Sequence, residues 1–441
     1  MMRITLPPVP KSELRFGSQY DIFGRKPFGE QLTNLLVNTS GSTVVALDSA
    51  WGTGKSTFIK MWLNYLKEEG VKNIYFDAFE NDYQADPFMA IASEIYAVID
   101  DADREQFKEK LSAAFLSMMR SALDIGIKLK SQGAIGLDEI NALFNDATAK
   151  PKYDEYLSMK IEGAHKDREA VEQFKVYLKE VAEKTGNGRP LIFIIDELDR
   201  CRPDFALEML ERVKHLFSVD GIVFLLVTNR NQLNEIIRLR YGERVDPNNY
   251  LHKFVNLWLS LPHEDSKFSD HTSRFIEFAI CGMIGDENVR NIEDVSNLFK
   301  AIGKYYNLTF REIERVLGTF FSCCNMSSEI LGIYQYTVIT VMMCYIKTRS
   351  PELIDTLKSK NKSEIFTALK LNQIPNPEIG IDICSTDIYL RIIKQFIDYD
   401  LSDLNGKKQI SGEPGNHDIF YRAQPNVIDK VLGYLSGVTR Y

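Results

Sequence analysis

Of 441 residues only six are cysteine, six histidine and three tryptophan. The cysteines, at 201, 281, 323, 324, 344 and 384, form no Cys-x-x-Cys pair and stand in no His-rich metal spacing. Neither a zinc framework nor a disulfide scaffold is expected, and the thiols read as reduced ones in a cytosolic protein. The first residues, MMRITLPPVPKSEL, lack the apolar core of a secretory signal. A long uncharged run is missing as well. The longest, Ile330–Ile346 (ILGIYQYTVITVMMCYI), is short for a span and carries Gln335, tyrosines and threonines, so a buried core helix is expected there and no transmembrane segment. Positive charge is in deficit: 53 Lys and Arg against 61 Asp and Glu leave −8, which disfavours nucleic acid as the main partner. Internal repeats and low-complexity tracts are absent. What is present is an ordinary globular composition, 44% hydrophobic and 26% charged, on a chain long enough for two or three domains.

The strongest local pattern is DSAWGTGKSTFIKMWLNYL, Asp48 to Leu66. The β-branched run Ser42–Leu47 before it reads as a buried strand, and Phe58, Ile59, Trp62, Leu63 and Leu66 after it recur at helical spacing. Further strands are expected at Asn73–Phe76, at Pro190–Asp196 and at Gly221–Thr228, with helices between them. Strands that are apolar throughout and alternate with helices indicate a parallel sheet covered on both faces, hence an α/β fold. From about Asp100 to Gly188 charge and helix formers dominate, so a helical insertion is expected; its apolar middle is AAFLSMMRSALDIGIKLKSQGAIGL. Beyond Pro262 only helical patterns are convincing. The expected division is therefore an arm over 1–15, a nucleotide-binding core over 16–99 and 189–265, the insertion over 100–188, and a helical domain over 266–441.

Between the first strand and its helix lies a loop suited to phosphate. Gly52 and Gly54 permit a sharp turn and close approach of backbone to ligand, so that successive N–H groups form an anion nest at the positive end of the next helix. Lys55 supplies a cation for the β- and γ-phosphates, and the Ser56 hydroxyl is placed for Mg²⁺, as in the pattern GxxxxGK[ST]. Ser49 stands where that pattern has its first glycine. Ser49, Ala50, Trp51, Gly52, Thr53, Gly54, Lys55, Ser56 and Thr57 are thus the candidate triphosphate residues; Trp51 could alternatively pack under the loop.

The run LIFIIDELDRC places Asp196 and Glu197 at the C-terminal end of an apolar strand, where parallel sheets carry their chemistry. Asp196 is expected to hold Mg²⁺, and Glu197 to orient and deprotonate the attacking water. Asp199 and Arg200 read as an ion pair fixing the loop, or Arg200 as an arginine finger toward a neighbouring subunit, with Arg202 a weaker finger candidate. Asn229, at the tip of the strand GIVFLLVTN, suits either a γ-phosphate sensor or a turn.

Taken together these segments resemble the KAP family of P-loop NTPases. Asp21-Ile-Phe-Gly24-Arg25 is similar to its D-x-x-G-R opening, WGTGKS to its phosphate loop, FDAFENDYQADPFMAI (with Glu80 and Asp86-Pro87) to its second-strand motif, DELDRC to its acidic run, and NYLHKFVNLWLSLP to the segment that closes its core. The likeness covers about Asp21 to Pro262 and extends more faintly to TFREIERVLGTF. It implies an Mg²⁺-dependent ATPase, with Arg25 among the nucleotide-binding residues, and with Arg311 or Arg315 as a γ-phosphate sensor. The plainer reading of both arginines is a solvated face paired with Glu312 and Glu314. Many relatives carry a membrane segment in the insertion; here a soluble or membrane-peripheral helical lid is expected. The resemblance further implies a bacterial anti-phage defence or signalling switch that forms a homo-oligomer and acts with a protein effector. The alternatives are a nucleotide-binding membrane scaffold with little turnover and a nucleic-acid-stimulated ATPase.

Overall fold

The computed structural model describes residues 2–84, 86–130, 150–262, 270–285, 289, 291–374, 385–412, 420 and 423–438. Its sheet is made of β1 (Thr43–Asp48), β2 (Asn73–Asp77), β3 (Leu191–Asp196), β4 (Ile222–Thr228) and β5 (Leu257–Ser260). The spatial order is β2-β3-β4-β1-β5, and every neighbouring pair is parallel. β3 and β4 are buried along their whole length, which is why they read as unbroken apolar runs. β5 is four residues long at the sheet edge, with half-exposed and exposed side chains, and no strand pattern marks it in the sequence.

Parallel register aligns the strand ends. Asp77 lies opposite Asp196, Asp196 opposite Val227, and Asp48 opposite both Thr228 and Ser260. Asp196 and Asp48 are therefore separated by β4 alone, roughly 10 Å at one strand spacing per step. This α/β architecture is the one expected.

Two units emerge from the packing. The sheet unit comprises Lys26–Ala50 and Phe58–Leu261. Its longer helices are α1 (Lys26–Val37), most of α2 (Lys55–Glu68), α3 (Pro87–Val98), α4 (Asp101–Lys130), α5 (Lys150–Gly186), α6 (Pro203–Arg212) and α7 (Arg230–Tyr241). α2 is tied to α1 by the buried Trp62 indole, which donates to Thr33 Oγ1 at 2.9 Å. Phe88 of α3, Phe174 of α5 and Phe217 meet with centroids 5.3–5.9 Å apart and belong to the core beneath the long α4–α5 pair. The described part of the expected insertion consists of those two helices; residues 131–149 lie outside the described residues. Among the described residues no helix is long and apolar enough to cross a membrane.

The helical unit comprises Met1–Arg25, Trp51–Thr57 and Pro262–Tyr441. It contains α8 (His271–Ile284), α9 (Ile292–Tyr305), α10 (Phe310–Met326), α11 (Tyr334–Arg349), α12 (Ser385–Leu401) and α13 (Val427–Ser436). α11 is buried from Gln335 to Ile346. The apolar run read as a core helix is one, and Gln335 is accommodated by a two-way exchange with the backbone of Gln424 at 2.9 and 2.7 Å. The N-terminal arm is tied to this unit by hydrogen bonds. Arg3 N donates to Met283 O at 2.8 Å, Leu6 N to Glu314 Oε1 at 3.4 Å, and Asn325 Nδ2 to Met2 O at 2.8 Å. Its prolines remove donors, but Arg3 and Leu6 donate to α8 and α10. The phosphate-loop residues 51–57 and residues 16–25 also pack with this unit rather than with the sheet.

Candidate active site

The loop is shaped by its two glycines. Gly52 and Gly54 have φ of +77° and +82°, the left-handed region where a side chain is strained. A Cβ on Gly52 would stand 3.1 Å from Cβ of Arg311 and 3.3 Å from Thr309; one on Gly54 would stand 3.3 Å from Arg25 Nη1. Conformation and crowding both exclude larger residues.

Three successive carbonyls of this loop are held from outside it. Gly52 O accepts from Phe310 N at 3.0 Å, Thr53 O from Arg25 Nη2 at 3.2 Å and Gly54 O from Arg25 Nη1 at 3.3 Å. Arg25 reaches the loop because its motif folds locally: Asp21 Oδ1 accepts from Arg25 N and Oδ2 from Gly17 N, both at 3.0 Å, and Gly24 turns at φ +61°. The Arg25 side chain is buried, and burial pulls its pKa down to about 10 despite the opposing charge of Asp21; at neutral pH it stays charged. Its guanidinium lies over the Phe23 ring at 4.7 Å, and Phe23 stacks on Phe310 at 4.9 Å. Arg25, taken from the resemblance as a nucleotide ligand, is thus spent on loop carbonyls.

Of the two sensor candidates, Arg311 stands beside Gly52, whereas Arg315 is one turn further along α10 and exposed. Among the described residues neither pairs with Glu312 or Glu314. Glu312 bonds Thr309 in a capping box and pairs with Arg349, and Glu314 takes Leu6 N. Lys55 and Ser56 open α2, Lys55 largely buried and Ser56 half-buried, and Thr57 is exposed. Trp51 is 39% exposed; Ala50 is exposed and Ser49 buried.

The acidic half belongs to the sheet unit. Asp196 is fully buried. Its Oδ1 accepts from Glu197 N at 2.8 Å and its Oδ2 from the Tyr75 hydroxyl at 3.2 Å. Glu197 sits at φ 61°, ψ 23°, a left-handed conformation uncommon for a side-chain-bearing residue, and its carboxylate is ion-paired to Arg200 Nε. Asp199 accepts from the buried Thr228 hydroxyl at 3.1 Å, which ties the turn to β4. Arg202, a finger candidate from its position, is engaged with Asp82: its N–H bonds Oδ2 at 3.1 Å and its Nη2 the main-chain O at 2.7 Å. Asn229 caps α7, its Oδ1 accepting from Asn231 N at 3.1 Å, while Asp48 Oδ1 takes Arg230 N at 2.8 Å. The turn chemistry expected of Asn229 is therefore present at its oxygen.

These groups fit a magnesium-bound triphosphate in kind. The loop turns through two left-handed glycines at the start of a helix, the helix start adds positive potential, and a buried carboxylate oriented by an amide and a phenol is a suitable metal-side acid. Sequence reasoning did not single out Tyr75, Phe23, Thr309 or Asp48. Only Tyr75 left a signal, a polar tip two residues before the end of a strand next to the acidic one.

No curated protein matches the chain. Among solved structures it is similar to the Aeropyrum pernix ORC2 protein, determined as ADPNP–ADP complexes, at 14% identity and a TM-score of 0.33, over 69% of this chain. The chain spans 64% of that protein's length. The KAP family P-loop domain matches residues 25–325, well over half of the 441, from the arginine that clamps the loop to the end of α10. The chain belongs to the KAP family of P-loop domains.

Proposed function

We propose that the protein is an Mg²⁺-dependent ATPase used as a regulatory switch. The observation that carries this reading is the phosphate loop, whose two left-handed glycines and three externally held carbonyls fix a tight turn at the start of the helix that carries Lys55 and Ser56. In this mechanism Lys55 and the loop amides bind the triphosphate, and Ser56 and Asp196 hold the metal. Bound Mg²⁺ would neutralise charge on the phosphates. Glu197 takes the proton of the attacking water, Asn229 contacts the γ-phosphate through its amide nitrogen, and Arg311, beside Gly52, is favoured over Arg315 as the sensor. ATP is preferred over GTP because no Asn-Lys-x-Asp element stands at the strand that would read guanine.

The Glu197–Arg200 ion pair supports a switch with slow basal turnover, since Arg200 must release the carboxylate before it can act as a base. The family's character supports a bacterial defence or signalling role, cytoplasmic or at a membrane surface, with assembly into a homo-oligomer and an effector partner as outputs. The runner-up, a scaffold that binds nucleotide without turning it over, draws on the same ion pair. Purified protein separates the two. Multiple turnovers of ATP are expected, with Lys55→Ala losing nucleotide binding and Glu197→Gln keeping it while turnover falls at least about 100-fold. Binding without turnover in the wild type would leave the scaffold. Undiminished binding by Lys55→Ala would overturn the nucleotide reading itself. Oligomeric state measured with and without ATP tests the assembly step.

A further inference from the structure

We infer that Tyr75 is a positioning residue for Asp196, setting how tightly the site takes the metal-bound form of its nucleotide. The inference rests on the reading of Asp196 as the metal-side acid and adds a residue to it.

Tyr75 lies on β2 and Asp196 ends β3, in register such that Tyr75 faces Ile194 and Asp77 faces Asp196. Side chains two apart on a strand share a face. Tyr75 and Asp77 therefore line the same face as Ile194 and Asp196, with the phenol reaching diagonally toward the strand end. Its hydroxyl is 3.2 Å from Asp196 Oδ2, while the backbone N–H of Glu197 holds Oδ1 at 2.8 Å. Donors on both oxygens fix the plane of the carboxylate. The main-chain oxygen of Asp196 is fixed too, by Ala78 N at 2.9 Å. The phenol is the donor here, because a carboxylate oxygen can only accept. Asp196 is completely buried, so its orientation is set by protein groups rather than by bulk solvent. Groups of this kind orient metal ligands, and their loss costs affinity for the metal.

A purely structural phenol predicts something different. Tyr75→Phe would then lower stability or weaken nucleotide binding with and without metal alike. The experiment measures ATP affinity by fluorescence titration in EDTA and across a Mg²⁺ series, for wild type, Tyr75→Phe, Asp196→Asn and the double variant. The expected result is unchanged ATP affinity in EDTA for Tyr75→Phe, with the Mg²⁺ needed for half-maximal tightening raised about tenfold. Asp196→Asn should raise it at least as far, and the double variant should add nothing further. An unchanged Mg²⁺ requirement in Tyr75→Phe, an equal loss in EDTA and in Mg²⁺, or full additivity with Asp196→Asn would each overturn the inference. A wild type whose ATP affinity ignores Mg²⁺ would overturn the metal-side reading of Asp196 and the role of Tyr75 with it.

Discussion

Replacing Arg25 by lysine separates two roles that the sequence cannot tell apart. If Arg25 binds phosphate, its loss should weaken ATP more than ADP, because the γ-phosphate carries the extra charge. If it acts on the loop carbonyls, both nucleotides should weaken equally. The structure favours the second outcome and permits an estimate. Arg25 makes two charge-assisted bonds, to Thr53 O at 3.2 Å and Gly54 O at 3.3 Å, and its buried Nε finds no partner among the described residues. Lysine keeps the charge but not the fork, so it can serve one carbonyl at a time. Losing one such bond costs about 2 kcal/mol, equivalent to roughly thirtyfold in the equilibrium that holds the loop closed. That factor is an upper limit on the fall in affinity, reached when the freed loop opens fully before nucleotide arrives. Calorimetric titration of ATP and ADP into Arg25→Lys should thus show losses of about tenfold to thirtyfold, equal for the two nucleotides. Arg25→Ala, which leaves both carbonyls unmet, should bind more weakly still and melt earlier. A loss confined to ATP, or wild-type affinity in Arg25→Lys, would refute the carbonyl clamp.

Two further substitutions probe the same half-sites. Arg200→Ala should raise basal ATP turnover about fivefold, since a partly exposed ion pair is worth about 1 kcal/mol and its loss frees Glu197; a steady-state assay that instead shows a fall would make Arg200 a participant in the chemistry. Gly52→Ala forces a methyl group into a φ of +77° and to 3.1 Å from Arg311 Cβ. The backbone strain alone costs about 1–2 kcal/mol, so ATP affinity should fall at least about fivefold; unchanged affinity would mean that the loop binds nucleotide in another conformation.

The sheet was legible where burial is complete. β3 and β4 are covered on both faces, so nothing polar interrupts them, and β1 and the loop glycines announce a strand, a turn and a helix. β5 escaped because an exposed edge strand of four residues needs no apolar run. At the site, spacing identifies residue types but not the direction in which they point. The Arg of D-x-x-G-R reads as a phosphate ligand by charge alone, and only the turn built on Asp21 shows that it meets the carbonyl side of the loop. Tyr75 and Asp196 are 121 positions apart, and their bond depends on β2–β3 register, which no local pattern fixes. Arg202 reads as a mobile finger, yet Asp82, equally distant in sequence, claims it. In each case the missing information is a long-range pairing.

The clamp on the phosphate loop comes from two places in the chain: residues 23–25 on one side of the sequence and 309–311 on the other, joined by the Phe23–Phe310 stack. Loop geometry and the start of α10 are therefore set by the same few bonds. A ligand that shifts the carbonyls of 52–54 must disturb Phe310 N and the Arg25 fork together, and by linkage any partner that moves the start of α10 must alter affinity for that ligand equally. The capping box at Thr309 and Glu312 makes that helix start rigid, so a displacement there is passed along α10 rather than absorbed in its first turn. Thr309→Ala separates the two possibilities. Nucleotide affinity should fall with helix stability if the cap transmits force to the loop. If affinity holds while the melting temperature drops, the loop is held by Arg25 alone and α10 is no part of the switch.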